Sequence, residues 1–160
     1  MVVRPALPAD RPSIWRVLEP TIRAGETWAL PRDMTEEAAL AYWFAPGHAV
    51  HVAEEDGKVL GTYFLRANQI GGGAHVANCG YMTAHDAFGR GVARAMAEHS
   101  FAAARARNFT AMQFNYVVAS NERAVRLWHG VGFATVGRLP GAFRHPSLGL
   151  VDVLVMFRTL

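Results

Sequence analysis

The sequence predicts a single α/β domain in which strands and helices alternate in the order β-α-α-β-β-β-α-β-α-β-β. Three observations lead there. Two stretches place apolar residues at helical spacing: Ile14, Val17, Leu18 and Ile22, and later Ala124, Leu127, Trp128 and Val131. Asp56-Gly57 stands between two β-rich runs, a strong hairpin signal. The stretch His75–His99 passes from an alternating run, through two closely spaced glycines, into helical spacing. With 160 residues, 51% of them apolar, the chain has enough material for one full core.

In chain order, Val2 to Ala6 reads as a first strand, and Pro8-Ala9-Asp10 opens a helix to about Arg23 that Gly25 stops. Gly25 to Pro31 reads as a loop. Thr35, followed by Glu36 and Glu37, is a helix start with acidic groups at the positive end of the helix dipole. That second helix runs to about Phe44 and meets Pro46-Gly47. His48–Glu54 and Lys58–Ala67 form the hairpin, and Gly71-Gly72-Gly73 turns into a strand around Asn78. After a long helix, Thr110 to Ala119 is a strand and Asn121 to Val131 a short helix ended by Gly132. Phe133–Arg138 and Leu150–Arg158 close the chain as strands, with Leu139 to Pro146 expected as a loop.

The functional signal is concentrated at Phe88-Gly89-Arg90-Gly91-Val92-Ala93. A strand, a glycine turn and a helix start point free backbone N–H groups and the positive end of a helix dipole at an anion. Gly89 and Gly91 let a phosphate approach the backbone, and Arg90 can add charge. A glycine turn of purely conformational origin is the alternative on these six residues. The dinucleotide fingerprint G-x-G-x-x-G fits less well, because its third position falls on Arg94.

Composition narrows the function classes. No apolar run reaches the ~18–20 residues of a membrane span, and the opening MVVRPALPADR lacks the apolar block of a signal peptide. The single cysteine, Cys79, excludes an internal disulfide and suits a reducing cytoplasm. Net charge is +3, from scattered arginines and one lysine, Lys58; that pattern suits an anionic small ligand and lacks the clustered stripe of a nucleic-acid binder. The histidines show no metal-ligand spacing. A homodimer is compatible with all of this.

The glycine segment is similar to the pyrophosphate loop of the GNAT acetyltransferase superfamily, Q/R-x-x-G-x-G/A. Gly91 and Ala93 match its small positions, and Phe88 departs from the usual Gln or Arg. A second match, Asn121-x-x-Ala124-x-x-Leu127-Trp128-x-x-x-Gly132-Phe133, resembles the family's N-x-x-A-x-x-x-Y-x-x-x-G-F. The element order fits as well. The resemblance implies a mixed, mostly antiparallel central sheet flanked by helices, spanning residues 1–160. It also implies acetyl-coenzyme A (acetyl-CoA) as cosubstrate, no metal, and a small-molecule amine as acceptor.

Residue by residue, the resemblance puts coenzyme A on Phe88 to Ala93. Pantetheine would lie along the backbone of Tyr81, Met82 and Thr83, with Asn121 and Trp128 on its other side. Asn121 is also a natural N-cap, and one side chain can serve both purposes. Trp128 stands where many relatives have a tyrosine acid; an indole only donates a hydrogen bond, so an apolar wall or core role is left to it. Asn78 stands where many relatives have a glutamate base. With Asn115 it resembles the branch that acetylates proline analogues such as azetidine-2-carboxylate, where two asparagines position the acceptor nitrogen. The alternative is that both amides are buried strand residues satisfying one another or the backbone. Cys79 has the opposite strand parity to Asn78, so a small buried thiol is its default. The acceptor wall is expected from Arg23, Glu26 and Trp28 and from Phe143 and Arg144, with Arg23 or Arg144 pairing a substrate carboxylate. Rival readings are a GNAT enzyme for another amine and a non-catalytic coenzyme A-binding regulator.

Overall fold

The computed structural model describes residues 1–160. Seven strands form one sheet: β1 Val2–Pro5, β2 Ala49–Glu55, β3 Lys58–Ala67, β4 Val76–Thr83, β5 Ala111–Val118, β6 Ala134–His145 and β7 Gly149–Thr159. Four helices accompany it: α1 Arg11–Ala24, α2 Glu36–Trp43, α3 Val92–Ala106 and α4 Glu122–Gly130. The sheet order is β1-β2-β3-β4-β5-β7-β6. Every neighbouring pair is antiparallel except β4 and β5, which are parallel. A parallel pair needs a crossover, and α3 supplies it.

Alternation along the strands sends side chains to two apolar layers. On one face Tyr63, Leu65, Cys79, Met112 and Phe114 pack against Met96, Ala97 and Phe101 of α3 and Trp128 of α4. On the other, Val50, Val52, Phe64 and Met82 meet Ile14, Val17, Leu18 and Ile22 of α1 and Trp43 of α2. Each fully buried side chain of this size is worth about 1.5–3 kcal/mol of transfer free energy. The buried indole N–H of Trp43 is satisfied by Thr62 Oγ1 at 3.0 Å, and that hydroxyl donates to His51 O at 2.8 Å. No helix is long and apolar enough to cross a membrane.

Local rules place the helix ends. Thr35 Oγ1 accepts from Ala38 N at 3.2 Å and caps α2, while Gly25 closes α1 with φ +65°. The Pro8–Asp10 stretch is a separate 3₁₀ turn ahead of α1. Asp10 fixes that turn by accepting from Leu7 N and from both terminal nitrogens of Arg4.

One segment differs from the sequence expectation. Leu139 to His145 belongs to β6, and the turn is confined to residues 146–148. Pro140 and Gly141 suggested a loop because proline has no N–H to give a ladder. β6 is an edge strand, however, and its pairing with β7 skips from Leu139↔Val153 to Phe143↔Val151. A bulge at an edge accommodates a proline, and Asp152 Oδ1 takes up the Gly141 N–H at 2.9 Å.

Candidate active site

The glycine segment forms one wall of a cleft of about 710 Å³. A 3₁₀ turn, His85–Ala87, leads from β4 into Gly89 and Gly91, both at φ +78°. A Cβ at either glycine would meet no protein atom within 4 Å, because each faces the open cleft. Gly91 is the N-cap of α3 and has no capping side chain, so the first-turn N–H groups of Val92, Ala93 and Arg94 are left for a ligand. The 15-residue α3 points its positive end at the same place. Met82, Thr83, Phe88, Val92 and Ala93 line the cleft with them.

The cationic groups are arranged differently from the sequence expectation. Arg90 is not part of the lining; its guanidinium turns to the Glu55 carboxylate at the end of β2. Phe88 packs against the tilted ring of His85, with ring centroids 5.0 Å apart, and against the guanidinium of Arg123, 3.7 Å from its ring centre. An arginine from α4 thus lies over the position where the loop lacks a polar side chain, and Arg94 adds a second charge to the lining. Ser120 Oγ, also in the lining, is the one buried side-chain oxygen or nitrogen without a hydrogen-bond partner. Open glycines, free N–H groups, two arginines and an unpartnered hydroxyl fit a pyrophosphate carried on a polar arm.

The sheet forks beside this cleft. β4 and β5 pair only at Val76↔Ala111 and Ala77↔Met112. At the next residue the Asn78 side chain bridges the gap, its Nδ2 donating to Gln113 O at 2.9 Å. From there to Thr83 the backbone of β4 keeps its ladder with β3 and has a free opposite edge. On β5 the register slips between Phe114 and Val117, so Asn115 and Tyr116 together oppose one residue of β7. Bulges of this kind re-aim side chains, and here Asn115 turns into the fork.

A second cavity, about 240 Å³, fills the fork. Asn78 and Asn115 both line it, with Trp28, Tyr42, Phe64 and Arg66. Gly80 forms its floor: a Cβ there would stand 2.5 Å from the Phe64 ring and 2.6 Å from that of Trp28. Both amides are held. Asn78 Oδ1 accepts from Arg66 Nε at 3.2 Å; Asn115 Oδ1 accepts from Gln113 Nε2 at 2.9 Å, and its Nδ2 donates to Asn68 Oδ1 at 2.7 Å. Each amide retains one donor and one acceptor position. Thr27, Trp28, Tyr81, Asn121, Ala124 and Trp128 line both cavities, and there the two spaces meet.

No Asp, Glu, His or Lys lines the smaller cavity. Burial pushes the Cys79 thiol up to about 12, so it stays protonated and is no nucleophile. Burial likewise holds the Tyr81 phenol well above its ordinary value, while its hydroxyl pairs with Ser100 Oγ at 2.7 Å, away from the cavities. Trp128 is packed between Phe114 and Tyr81, at ring distances of 4.7 and 5.0 Å, and presents an edge to both spaces. Asn121 caps α4 through Ala124 N at 3.3 Å and also lines both.

Of the expected acceptor wall, Trp28 lies in the smaller cavity and the other four residues lie elsewhere. Glu26 is exposed on the rim of the larger cleft. Arg23 donates to the carbonyls of Arg32 and Met34, and Arg32 Nε returns a bond to Arg23 O at 2.8 Å. Two arginines thus clasp the ends of the loop that carries Trp28, and Arg23 is spent on that loop. Phe143 is buried against Val118 and Val153, and Arg144 is exposed on β6; neither lines either of these two cavities. Arg66, Tyr42, Ser120 and Arg123 were missed. Arg66 shares strand parity with Phe64, but its meeting with Asn78 depends on the β3–β4 register.

A glycine-lined cleft at a helix N-terminus, meeting a smaller cavity at a sheet fork, fits the layout of an acyl-transferring enzyme. The chain belongs to the Acetyltransferase (GNAT) family, whose sequence model matches residues 14–133. It is therefore an N-acetyltransferase by class. It is similar to a GCN5-related N-acetyltransferase from Kribbella flavida, with 41% identity, 99% of this chain and 97% of that one covered, and a TM-score of 0.94. N-acetyltransferase aca1 of Schizosaccharomyces pombe is 25% identical over 139 residues, which are 77% of this chain and 66% of that one. The fold is also that of yncA from Salmonella typhimurium, solved with its cofactor acetyl-CoA, at 22% identity, coverage of 100% and 94%, and a TM-score of 0.86.

Proposed function

We propose that this acetyl-CoA-dependent N-acetyltransferase acetylates the amine of a small molecule, an amino acid or a cyclic proline analogue, held between Asn78 and Asn115. The observation that supports this reading best is the cavity itself. At about 240 Å³ it falls below the size of a drug-sized pocket and suits a compact molecule. It joins the larger cleft directly, and its lining offers amides where a carboxylate base would otherwise stand.

When bound, acetyl-CoA supplies an acetyl group activated as a thioester. Gly89, Gly91 and the first turn of α3 hold its pyrophosphate, with Arg94, Arg123 and Ser120 beside them. The free edge of β4 from Gly80 to Thr83 presents N–H groups that stabilise charge developing on the acetyl oxygen. The spare positions of the Asn78 and Asn115 amides orient the acceptor nitrogen and leave its lone pair towards the junction. With no base in the lining, the amine reacts as the free base and its proton passes to water. Trp128 excludes solvent from the junction and donates no proton to the leaving thiolate. A cytoplasmic location, with reduced Cys79 and a supply of acetyl-CoA, belongs to the same proposal.

The test is a thiol-release assay with acetyl-CoA over free amino acids, cyclic imino acids, aminoglycosides and peptides with free N-termini. Turnover with small amino or imino acids is the expected result. Turnover confined to peptides or aminoglycosides would remove this acceptor reading.

A further inference from the structure

We propose that Arg66 receives a carboxylate of the acceptor, so that the substrates of this site are amines carrying an acid group on the carbon next to nitrogen. The inference rests on the reading of the Asn78–Asn115 cavity as the acceptor site. Arg66 is the only charged side chain in that lining. It lies on β3 directly opposite Asn78 on β4. Its Nε donates to Asn78 Oδ1 at 3.2 Å; it forms no ion pair, and its two terminal nitrogens bond to nothing in the protein. That leaves the Nη1/Nη2 end of the guanidinium available for a bidentate carboxylate.

The surroundings strengthen such a pairing. Arg66 is half-buried, and Tyr42, Phe64 and Trp28 line the same cavity. An ion pair there is less screened than one on the surface. A cation in a cavity without an acidic partner also selects against amines that bring only positive charge. Arg66 and Asn78, joined by one hydrogen bond, form a two-point template: the guanidinium takes the acid and the amide takes the nitrogen. An α-amino or α-imino acid presents both groups from one carbon. Trp28 over Gly80 and Phe64 supplies an apolar surface for the remainder of a compact ring or side chain.

Two matched acceptor pairs test this with the full chain and saturating acetyl-CoA: L-proline against L-prolinamide, and azetidine-2-carboxylate against azetidine. Each is assayed by thiol release and by calorimetric binding to the coenzyme A-loaded protein. Wild type is expected to favour the carboxylate member of each pair when rates are compared per free-base amine. In a folded Arg66→Gln variant, the kcat/KM ratio of carboxylate to neutral member should fall by on the order of 10- to 100-fold, the range for a hydrogen bond to a charged group. Arg66→Lys, which keeps the charge but loses the fork, should recover part of the ratio. The ratio separates the proposal from a role exerted only through Asn78, which would lower both members together and leave the ratio unchanged. An unchanged ratio overturns it. So does a wild-type preference for the carboxylate-free member when rates are compared per free-base amine, which needs no variant to fold. Neither binding nor turnover of any of the four compounds, with acetyl-CoA still bound, would overturn the acceptor reading and this proposal with it.

Discussion

Gly91→Val isolates the cofactor cradle, because two separate effects of the change can be sized beforehand. The first is strain. Gly91 sits at φ +78°, where an L-residue pays roughly 1–2 kcal/mol and a β-branched one more. For a chain of this length each kcal/mol shifts Tm by about 2–4 °C, so a fall of several degrees is expected. No internal clash adds to it, since a Cβ there meets no protein atom within 4 Å. The second effect is on the ligand: that same space is where a pyrophosphate must approach the N–H groups of α3. Losing two such charge-assisted bonds, at ~1.5–3 kcal/mol each, weakens coenzyme A binding by at least about 100-fold. Gly149→Ala is the control. Gly149 has φ +74° and equally open surroundings at the start of β7, outside both cavities. It should lose comparable stability and keep its coenzyme A affinity. Calorimetric titration and thermal melts of both variants decide the matter; a folded Gly91→Val protein that binds coenzyme A like wild type would refute the cradle.

The remaining expectations concern the amides, the indole and the buried histidines. Asn78→Ala and Asn115→Ala should each lower kcat/KM by an amount equivalent to about 1–3 kcal/mol, and the double variant should fall short of their sum, since both hold one nitrogen; strictly additive losses measured by steady-state kinetics would contradict a shared site. Trp128→Phe should keep most of kcat, and a loss beyond ~100-fold with normal coenzyme A binding would show that the indole takes part in the chemistry. His51 is buried beneath Tyr63 at a ring distance of 4.7 Å, and burial lowers its pKa, as it does for His99. The unfolded chain, with histidines near 6.5, then takes up protons first, so stability is complete above about pH 6.5 and falls as the pH drops, by up to about 1.4 kcal/mol per unit for each group. Urea melts at pH 7.5 and pH 5 should show this loss and a smaller one in His51→Phe; an equal loss in the variant would assign it to other groups.

Most elements were legible because their signals are local. Gly25 and Thr35 bound helices through their own backbone and capping chemistry, Asp56-Gly57 closes a hairpin, and Gly89 and Gly91 make the positive-φ turn that opens α3. What escaped is set by register and by edges. Leu139 to His145 looked like a loop because the sequence does not say that β6 is a bulged edge strand. Arg90 stands between two cleft-lining glycines but turns to Glu55, 35 residues earlier in the chain and within reach only once β2 lies alongside. Arg23 looked like a free cation beside a loop, yet the loop's own carbonyls claim it. Arg66 and Asn78 meet across a strand pair, and Arg123 reaches Phe88 only because α4 crosses the cradle. The amides at Asn78 and Asn115 could be proposed from resemblance, while their converging on one fork depends on a bulge at Asn115 that no short-range pattern shows.

The absence of an ionisable base in the acceptor cavity is the claim on which the mechanism turns, and the pH dependence of kcat/KM tests it most directly. Two acceptors with amine pKa values about two units apart, assayed with saturating acetyl-CoA between pH 6 and 10, should give rising profiles whose inflections move with the amine. Burial keeps Cys79 and Tyr81 protonated over most of this range, so neither adds an inflection near neutrality. An inflection near pH 7 that stays in place when the acceptor is changed would belong to the enzyme, and would contradict a site built from two neutral amides.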